Sequence, residues 1–343
     1  MTKKALIFGV NGQDGSYLSE LLLSKKYDVL GIVRRASVNN TQERLSNVIK
    51  DRNFKVDEGD ITDYTSVSDI IECYQPDEVY NLAAQSHVAT SFKQPAATWN
   101  INALGVQNIL EAIRKKKADA RFYQASTSEM FGSVIDQDGF QRETTELSPN
   151  SPYAISKVAA HHAVRLYREA YGIHASSGIL FNHESPRRGE GFVTRKITKY
   201  VKSLEKHIDM AKYVTNTPEE ATEWILNYVP PLRLGNLDAK RDWGYAGDYV
   251  KAMWLMLQQT KADDYVVATG ETHSVRDFLD EAFKCVGIND WQPHVVIDPA
   301  FIRPYEVPVL CGDASKIKSL LGWKPEFDFK ALVRWMMENE KAE

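Results

Sequence analysis

Tyr153 and Lys157 stand four residues apart in Tyr-Ala-Ile-Ser-Lys, and of the 16 tyrosines only Tyr153 has a lysine at that spacing. On a helix the two side chains share one face. An ammonium about 4 Å from a developing phenolate is worth roughly 4 kcal/mol at an effective dielectric of about 20. That is about three pKa units, enough to bring a phenol from ~10 towards neutrality. A phenol so tuned can take a proton from a hydroxyl while hydride leaves the same carbon. Just upstream lies Ser126-Thr127-Ser128-Glu129. Thr127 can hold the reacting alcohol. Hydride transfer needs only a hydroxyl, a tyrosine and a lysine, so the carboxylate of Glu129 implies a second proton transfer. Without these neighbours the same residues would read as an exposed helix pair and a solvated loop acid.

Something must accept the hydride, and the amino terminus carries the pattern for it. Gly9-x-x-Gly12-x-x-Gly15 follows an apolar run, Ala5 to Val10, and precedes an amphipathic one. Glycines there let the chain turn tightly, let a pyrophosphate approach and let helix pack on strand, while the helix N-terminus attracts phosphate. Three spaced glycines alone are a weak signal; their place after the first strand is what points to a dinucleotide. An NAD-selective site usually carries a carboxylate after the second strand, whereas this chain carries Arg34-Arg35. Guanidinium forks suit a 2′-phosphate, so NADP is favoured. Asp60-Ile61 follows the third strand and Leu82-Ala83-Ala84 the fourth, where an adenine edge and a close backbone approach are expected.

These residues need a frame, and the pattern up to about residue 180 supplies one. Strand candidates (5–10, 28–33, 55–58, 78–82, 121–125, 175–181), several of them short apolar runs, alternate with helical patterns (16–24, 67–74, 102–114, 153–171). Such alternation implies an α/β protein with a parallel sheet covered on both faces, binding its ligands beyond the carboxyl ends of the strands. After residue 182 the alternation breaks down into irregular, Pro- and Trp-containing segments, read as a smaller cap over the strand ends. The 343 residues, 43% hydrophobic and 26% charged, suit a globular chain of one large or two interlocked domains. A net charge of −4 gives no global attraction to nucleic acid or to an anionic membrane. No apolar run approaches the ~20 residues of a membrane span, and the apolar start is too short for a signal peptide. Three scattered cysteines argue against a disulfide framework and for a reducing cytoplasm. The eight histidines lack ligand spacing and the cysteines lack any C-x-x-C pair, so no metal site is expected.

Taken together, the motifs resemble those of an extended short-chain dehydrogenase/reductase, and within that group the GDP-mannose 4,6-dehydratase family. The matching segments include Gly9 to Gly15, Asn81 to Val88, Ser126 to Glu129, Ser151 to Lys157, Gly178 to Glu190, Phe192 to Ile197, Leu234 to Gly244, Ala268 to Val275, and Arg303 to Val307. They run in the family's order over nearly the whole chain, and the stretch around Asn182 to Arg188 is the most specific. The resemblance implies a Rossmann-type doubly wound parallel sheet with a smaller, irregular α/β substrate-binding domain. NADP would be bound over residues 1–181, with returning segments near 236–256. The substrate would be bound by 182–235 and 257–343.

It also implies an internal redox cycle on a GDP-sugar. Tyr153 would deprotonate the 4-hydroxyl, Thr127 hold O4, and Lys157 tune Tyr153 and hold the nicotinamide ribose. Glu129 would remove the C5 proton and protonate the departing 6-hydroxyl. NADP would be held by Gly9, Gly12, Gln13, Asp14, Arg34, Asp60, Ile61, Leu82, Ala83, Gln85, Ser86, Tyr153, Lys157, His183 and Arg188, with Arg35 reaching a neighbouring subunit's cofactor in a homo-oligomer. The GDP-sugar would be held by Ser86, Glu129, Asn182, Val193, Lys196, Gly235, Arg241, Arg303 and Glu306.

Three departures stand out. Around 204–231 the chain is longer than the family pattern by about twenty residues, judged from the resemblance. That length suits a surface excursion, since loops tolerate insertion; a reshaped pocket would instead admit GDP-manno-heptose in place of GDP-mannose. Tyr245 and Gly247 stand where His and Arg are expected, and Ala97 where a tyrosine is expected. Two rival functions remain open at this point: a nucleotide-sugar epimerase or 4-reductase, which needs no carboxylate at 129, and a non-catalytic NADP-sensing protein, which needs no tuned phenol.

Overall fold

The computed structural model describes residues 2–35, 43–302 and 305–340. Its first half runs β1 (Lys4–Phe8), α1 (Gln13–Ser24), β2 (Asp28–Val33), β3 (Phe54–Glu58), α2 (Tyr64–Tyr74) and β4 (Glu78–Asn81). Then come α3 (Val88–Lys93), α4 (Pro95–Trp99), a π-helical turn over Asn100–Leu104, α5 (Gly105–Lys116), β5 (Arg121–Ala125), α6 (Pro152–Tyr171) and β6 (Ala175–Leu180). The second half holds β7 (Asn182–Glu184), α7 (Val193–Val214), α8 (Pro218–Tyr228), β8 (Leu232–Leu234), β9 (Lys240–Arg241), β10 (Trp243–Tyr245) and α9 (Ala246–Gln258). It ends with β11 (Asp264–Val267), β12 (His273–Ser274), α10 (Val275–Lys284), β13 (Val295–Ile297), β14 (Val309–Leu310), α11 (Ser315–Leu321) and α12 (Phe329–Glu338).

Seven strands form one parallel sheet in the order β11-β6-β5-β4-β1-β2-β3. The reversal of direction at β1 places the switch point beside Gly9, and the crevice there is where such sheets bind ligands. Alternate residues of β1 fill the two faces. Ala5 and Ile7 pack with Leu18 and Leu22 of α1 and Met253 and Leu257 of α9. Leu6 and Phe8 pack with Ile109 and Ile113 of α5 and Val164 of α6. Each fully buried Leu, Ile, Val, Met or Phe side chain here is worth roughly 1.5–3 kcal/mol, so the sheet is a stiff base for the loops above it. The family resemblance pointed to a return near 236–256; that stretch contributes α9, while the returning strand itself is β11, further along.

Local signals set the helix ends that matter. Ser151 caps α6 by accepting from the Ala154 N–H at 3.0 Å, Pro152 occupies the first position, and Gly172 ends the helix at φ +68°. Tyr153 and Lys157 therefore fall in the first two turns, over the sheet's carboxyl edge. Thr217 caps α8 by accepting from the Glu220 N–H at 3.2 Å, as its Thr-Pro-Glu-Glu start predicts.

A second core unites Ile197 and Val201 of α7 with Trp243, Phe278, Phe329 and Leu332. The excess length around 204–231 becomes the far end of α7 and α8, which bury Ala211, Ile225 and Val229 against that core. None of the described residues from 197 to 233 lines the central cleft. Tyr245 and Gly247 are neighbours in space: a Cβ on Gly247 would lie 2.4 Å from the Tyr245 ring, so the ring fills the space beside the glycine. Among the described residues, no helix is long and apolar enough to cross a membrane.

Candidate active site

The carboxyl ends of β1, β4, β5 and β6 open into one cleft of about 1310 Å³ that also reaches α7, Ala300 to Ile302 and Glu306. Its floor is the turn between β1 and α1. Gly9 has φ +81°, and a Cβ there would lie 2.8 Å from the Ala83 backbone nitrogen. A Cβ on Gly15 would lie 2.5 Å from the Gly9 carbonyl oxygen, so helix and turn meet backbone to backbone. Gly12 caps α1 without any side-chain hydrogen bond. First-turn N–H groups lacking a side-chain acceptor, together with the helix dipole, make this end a natural phosphate site. Glycine cradle, bare helix start and cleft size all fit a dinucleotide.

The structure brings most of the expected cofactor residues to this cleft. Gly9, Gly12, Gln13 and Asp14 come from the β1–α1 turn, Arg34 from the end of β2, and Asp60 and Ile61 from beyond β3. Leu82, Ala83, Gln85 and Ser86 follow β4; His183 and Arg188 follow β6. Arg35 is the exception: it is exposed and does not line the cleft. Several of these side chains are turned to one another. Gln13 donates from Nε2 to the His183 carbonyl and accepts from Ser185 Oγ at 2.8 Å. His183 Nε2 lies 2.9 Å from Asp14 Oδ2. Burial opposes both charges, yet mutual attraction holds Asp14 below the ordinary carboxylate range and His183 above the ordinary imidazole value. These residues lock the turn to the β6–β7 junction.

Tyr153, Lys157, Thr127 and Glu129 meet in the middle of the cleft. Thr127 follows β5 and caps the 3-10 turn Ser128–Phe131, accepting the Glu129 N–H at 3.3 Å. Glu129 stands near enough to Tyr153 for its negative charge to raise the phenol's pKa. One expectation is overturned here. Burial pushes Tyr153 up to about 12, against a hydrogen bond with Thr127 that lowers it, and burial pulls Lys157 down to about 8. The ammonium donates to the Ala125 carbonyl at 2.9 Å and lies 5.9 Å from the centre of the Tyr153 ring. Coulomb attraction counted alone neglects desolvation, which disfavours the charged forms of both groups. The chain by itself keeps a protonated phenol.

Sequence reasoning missed Asn102, in the π-helical turn. Its side chain accepts from the Gln85 N–H at 2.9 Å and donates to the Gln85 carbonyl at 3.0 Å and to Ser156 Oγ at 3.1 Å. Ser156 in turn donates to the Tyr153 carbonyl at 2.7 Å. One buried amide thus ties the segment after β4 to the first turns of α6. Asn100, Gln107 and Asn108 stand in the same helical run, so residue type alone does not single out Asn102.

On the outer side Ser86, Asn182, Val193, Lys196, Gly235, Arg241 and Glu306 all line the cleft, and Ala97 lines it too. Arg303 lies outside the described residues. Arg241 donates from Nη2 to Glu306 at 2.8 Å and from Nη1 to the Val307 carbonyl at 2.8 Å. Lys196 Nζ sits 4.1 Å from the centre of the Phe301 ring. Next to Arg241, Asp242 is fully buried and accepts from Thr269 N and Oγ1, Gly270 N and Gly312 N. Burial nevertheless raises it to about 6 from an ordinary 3.8.

Asp242→Asn should therefore cost about 2–4 kcal/mol, since an amide cannot accept on both atoms and leaves buried N–H groups unmatched. A carboxyl whose folded pKa is raised favours the folded state below its unfolded value, and that advantage fades as pH climbs. Wild-type stability should thus fall between 3.8 and about 6 by a component that D242N lacks. Denaturant melts across that range check both points; equal stability and equal slope would refute them.

Comparison with known proteins adds to this geometry. The sequence profile described as GDP-mannose 4,6 dehydratase matches residues 6–217 and 210–336. GDP-mannose 4,6 dehydratase 1 of Arabidopsis thaliana is 49% identical over 348 residues, spanning 98% of this chain and 90% of that protein. GDP-mannose 4,6-dehydratase of Vibrio cholerae is 44% identical over 376 residues, spanning 100% and 95%. Among solved structures, dTDP-glucose 4,6-dehydratase of Streptomyces venezuelae with NAD and TYD bound superposes with a TM-score of 0.80 at 23% identity, over 98% of this chain and 97% of that one. UDP-glucose 4-epimerase of Thermotoga maritima superposes with a TM-score of 0.80 at 23% identity, over 98% of each chain. The structural likenesses establish the fold, which dehydratases and epimerases share.

Proposed function

The chain belongs to the GDP-mannose 4,6-dehydratase family, and from that premise we propose how its own residues carry out the conversion of GDP-mannose to GDP-4-keto-6-deoxy-mannose. The protein is a hydro-lyase. The observation that carries the assignment of roles is the placement of Glu129 beside Tyr153 and Thr127, in the cleft that holds the glycine turn.

NADP is the cofactor of this reading, held by the β1–α1 turn and, at its 2′-phosphate, by Arg34. When bound, the nicotinamide supplies the hydride acceptor for C4, the donor for C6 and a positive charge beside the phenol. Tyr153 takes the proton of the 4-hydroxyl while Thr127 holds O4. The new 4-ketone acidifies the C5 proton, and Glu129 removes it. Glu129 passes that proton to the C6 oxygen, which leaves as water. C5 then regains one proton, equal in number to the one Tyr153 took from O4, so the net change is loss of one water. Lys196 and Arg241 face the diphosphate, where cationic donors are required, and Glu306 orients Arg241 and accepts from ribose hydroxyls.

A homo-oligomer in a reducing cytoplasm completes this reading. Exposed Trp99, Ile155, Leu166 and Tyr171 on α4 and α6 support the first part, and the unpaired cysteines support the second. The substrate test is incubation with GDP-mannose and, separately, GDP-manno-heptose, followed by mass spectrometry. Loss of one water from GDP-mannose supports the assignment, faster loss from the heptose would move the substrate, and no loss from either would overturn it.

A further inference from the structure

Near the start of α7 stand Arg187, Arg188 and Arg195, and Arg44, from the segment after β2, feels the charges of Arg195 and Arg187. Three have carboxylate partners: Arg187 with Glu20 at 2.6 Å, Arg188 with Glu184 at 3.2 Å and Arg195 with Glu340 at 2.8 Å. The fourth, Arg44, lines the same cleft as Gly9, Gly12 and Arg34. Among the described residues it forms no ion pair, and its bond is from Nη1 to the Asn11 carbonyl at 3.3 Å. Asn11 is part of the glycine turn whose helix N-terminus has no capping side chain. Arg44 is also rigidly mounted. Leu45 and Val48 are buried against Leu18 and Leu22 of α1, and Asn47 donates to Glu20 at 2.9 Å.

We propose that Arg44 is a phosphate ligand of the dinucleotide, its guanidinium held over the β1–α1 turn by the Asn11 carbonyl and by the packing of its neighbours on α1. This rests on the dinucleotide reading of the cleft. Burial and the charges of Arg195 and Arg187 work against the Arg44 cation, and the charges of Glu190 and Glu43 only partly offset them, so a phosphate within its reach stabilises it. Its four remaining N–H donors suit phosphate oxygens. The phosphate is either the pyrophosphate on the helix start or the 2′-phosphate near Arg34.

The test is calorimetric titration of NADP⁺ and of NAD⁺ into protein freed of cofactor, comparing wild type, R44Q and R44K. R44Q is expected to weaken binding by about ten- to a hundred-fold, the range for losing a charge-assisted hydrogen bond, and R44K to recover much of it. Loss confined to NADP⁺ identifies the 2′-phosphate, and equal loss for both identifies the pyrophosphate; either outcome supports the proposal. Affinity of R44Q within about two-fold of wild type for both ligands overturns it, given that a charge-assisted contact is worth more. So does a loss that R44K shares in full, which marks a merely structural role. Wild type that binds neither ligand would defeat the dinucleotide reading itself, a result distinct from failure of Arg44 alone.

Discussion

Glu129→Gln is expected to stop the reaction halfway. Gln keeps the size and hydrogen-bonding reach of Glu129 but cannot take the C5 proton or deliver one to the departing hydroxyl. Turnover should fall by about 10²–10⁴-fold, the usual contribution of a positioned acid/base. In the proposed mechanism oxidation at C4 uses Thr127, Tyr153 and Lys157 and not Glu129, so it should persist. A single-turnover experiment with NADP⁺ and GDP-mannose should then show reduced nicotinamide building up with a 4-keto hexose that still carries its 6-hydroxyl. Undiminished release of the dehydrated sugar would remove Glu129 from the elimination, and with it the feature that separates this chain from epimerases of the same fold.

Tyr153→Phe should fail earlier. In the proposed mechanism the phenol takes the 4-hydroxyl proton, so neither reduced nicotinamide nor keto sugar should form, and turnover should drop by about 10²–10⁴-fold or more. Stability should change little, because the hydroxyl lost makes one hydrogen bond, with Thr127, worth about 1 kcal/mol net. A Y153F protein that folds and still reduces the cofactor would assign the first proton transfer elsewhere. The two variants together order the steps: one oxidises and stalls, the other never oxidises. Titration adds a further check, since the chain alone holds Tyr153 at about 12. Bound NADP⁺ should lower that value, seen as tyrosinate absorbance appearing at lower pH in wild type than in the cofactor-free protein.

Much of this was legible without coordinates, for reasons that differ by residue. β1, β4 and β6 are almost wholly buried runs and the edge strand β3 is largely exposed, yet β2 and β5 match their expected bounds and β1, β3, β4 and β6 differ at their ends by one or two residues. β1 stops at Phe8, short of the apolar run's end, because Gly9 turns the chain with positive φ. The strand at Asp264–Val267 was not anticipated: four residues after an irregular half carry little local signal, and its place beside β6 depends on contacts remote in sequence. The site divides in the same way. Motif spacing brings out Tyr153, Lys157, Glu129 and the glycines. It does not bring out the pairing of His183 with Asp14, of Arg241 with Glu306, or of Asn102 with Gln85, since each joins segments that meet only in the fold. The pKa of Tyr153 was misjudged for a related reason, as burial is a property of the whole assembly.

In the proposed reaction hydride leaves one carbon of the hexose and returns to another in the same cleft. GDP-mannose carrying deuterium at C4, incubated with the wild-type protein and NADP⁺, tests this most directly when the product is read by NMR and mass spectrometry. The label should appear at C6 of a sugar that has lost one water. Label washed into the medium, or retained at C4 of an intact or epimerised hexose, would contradict it.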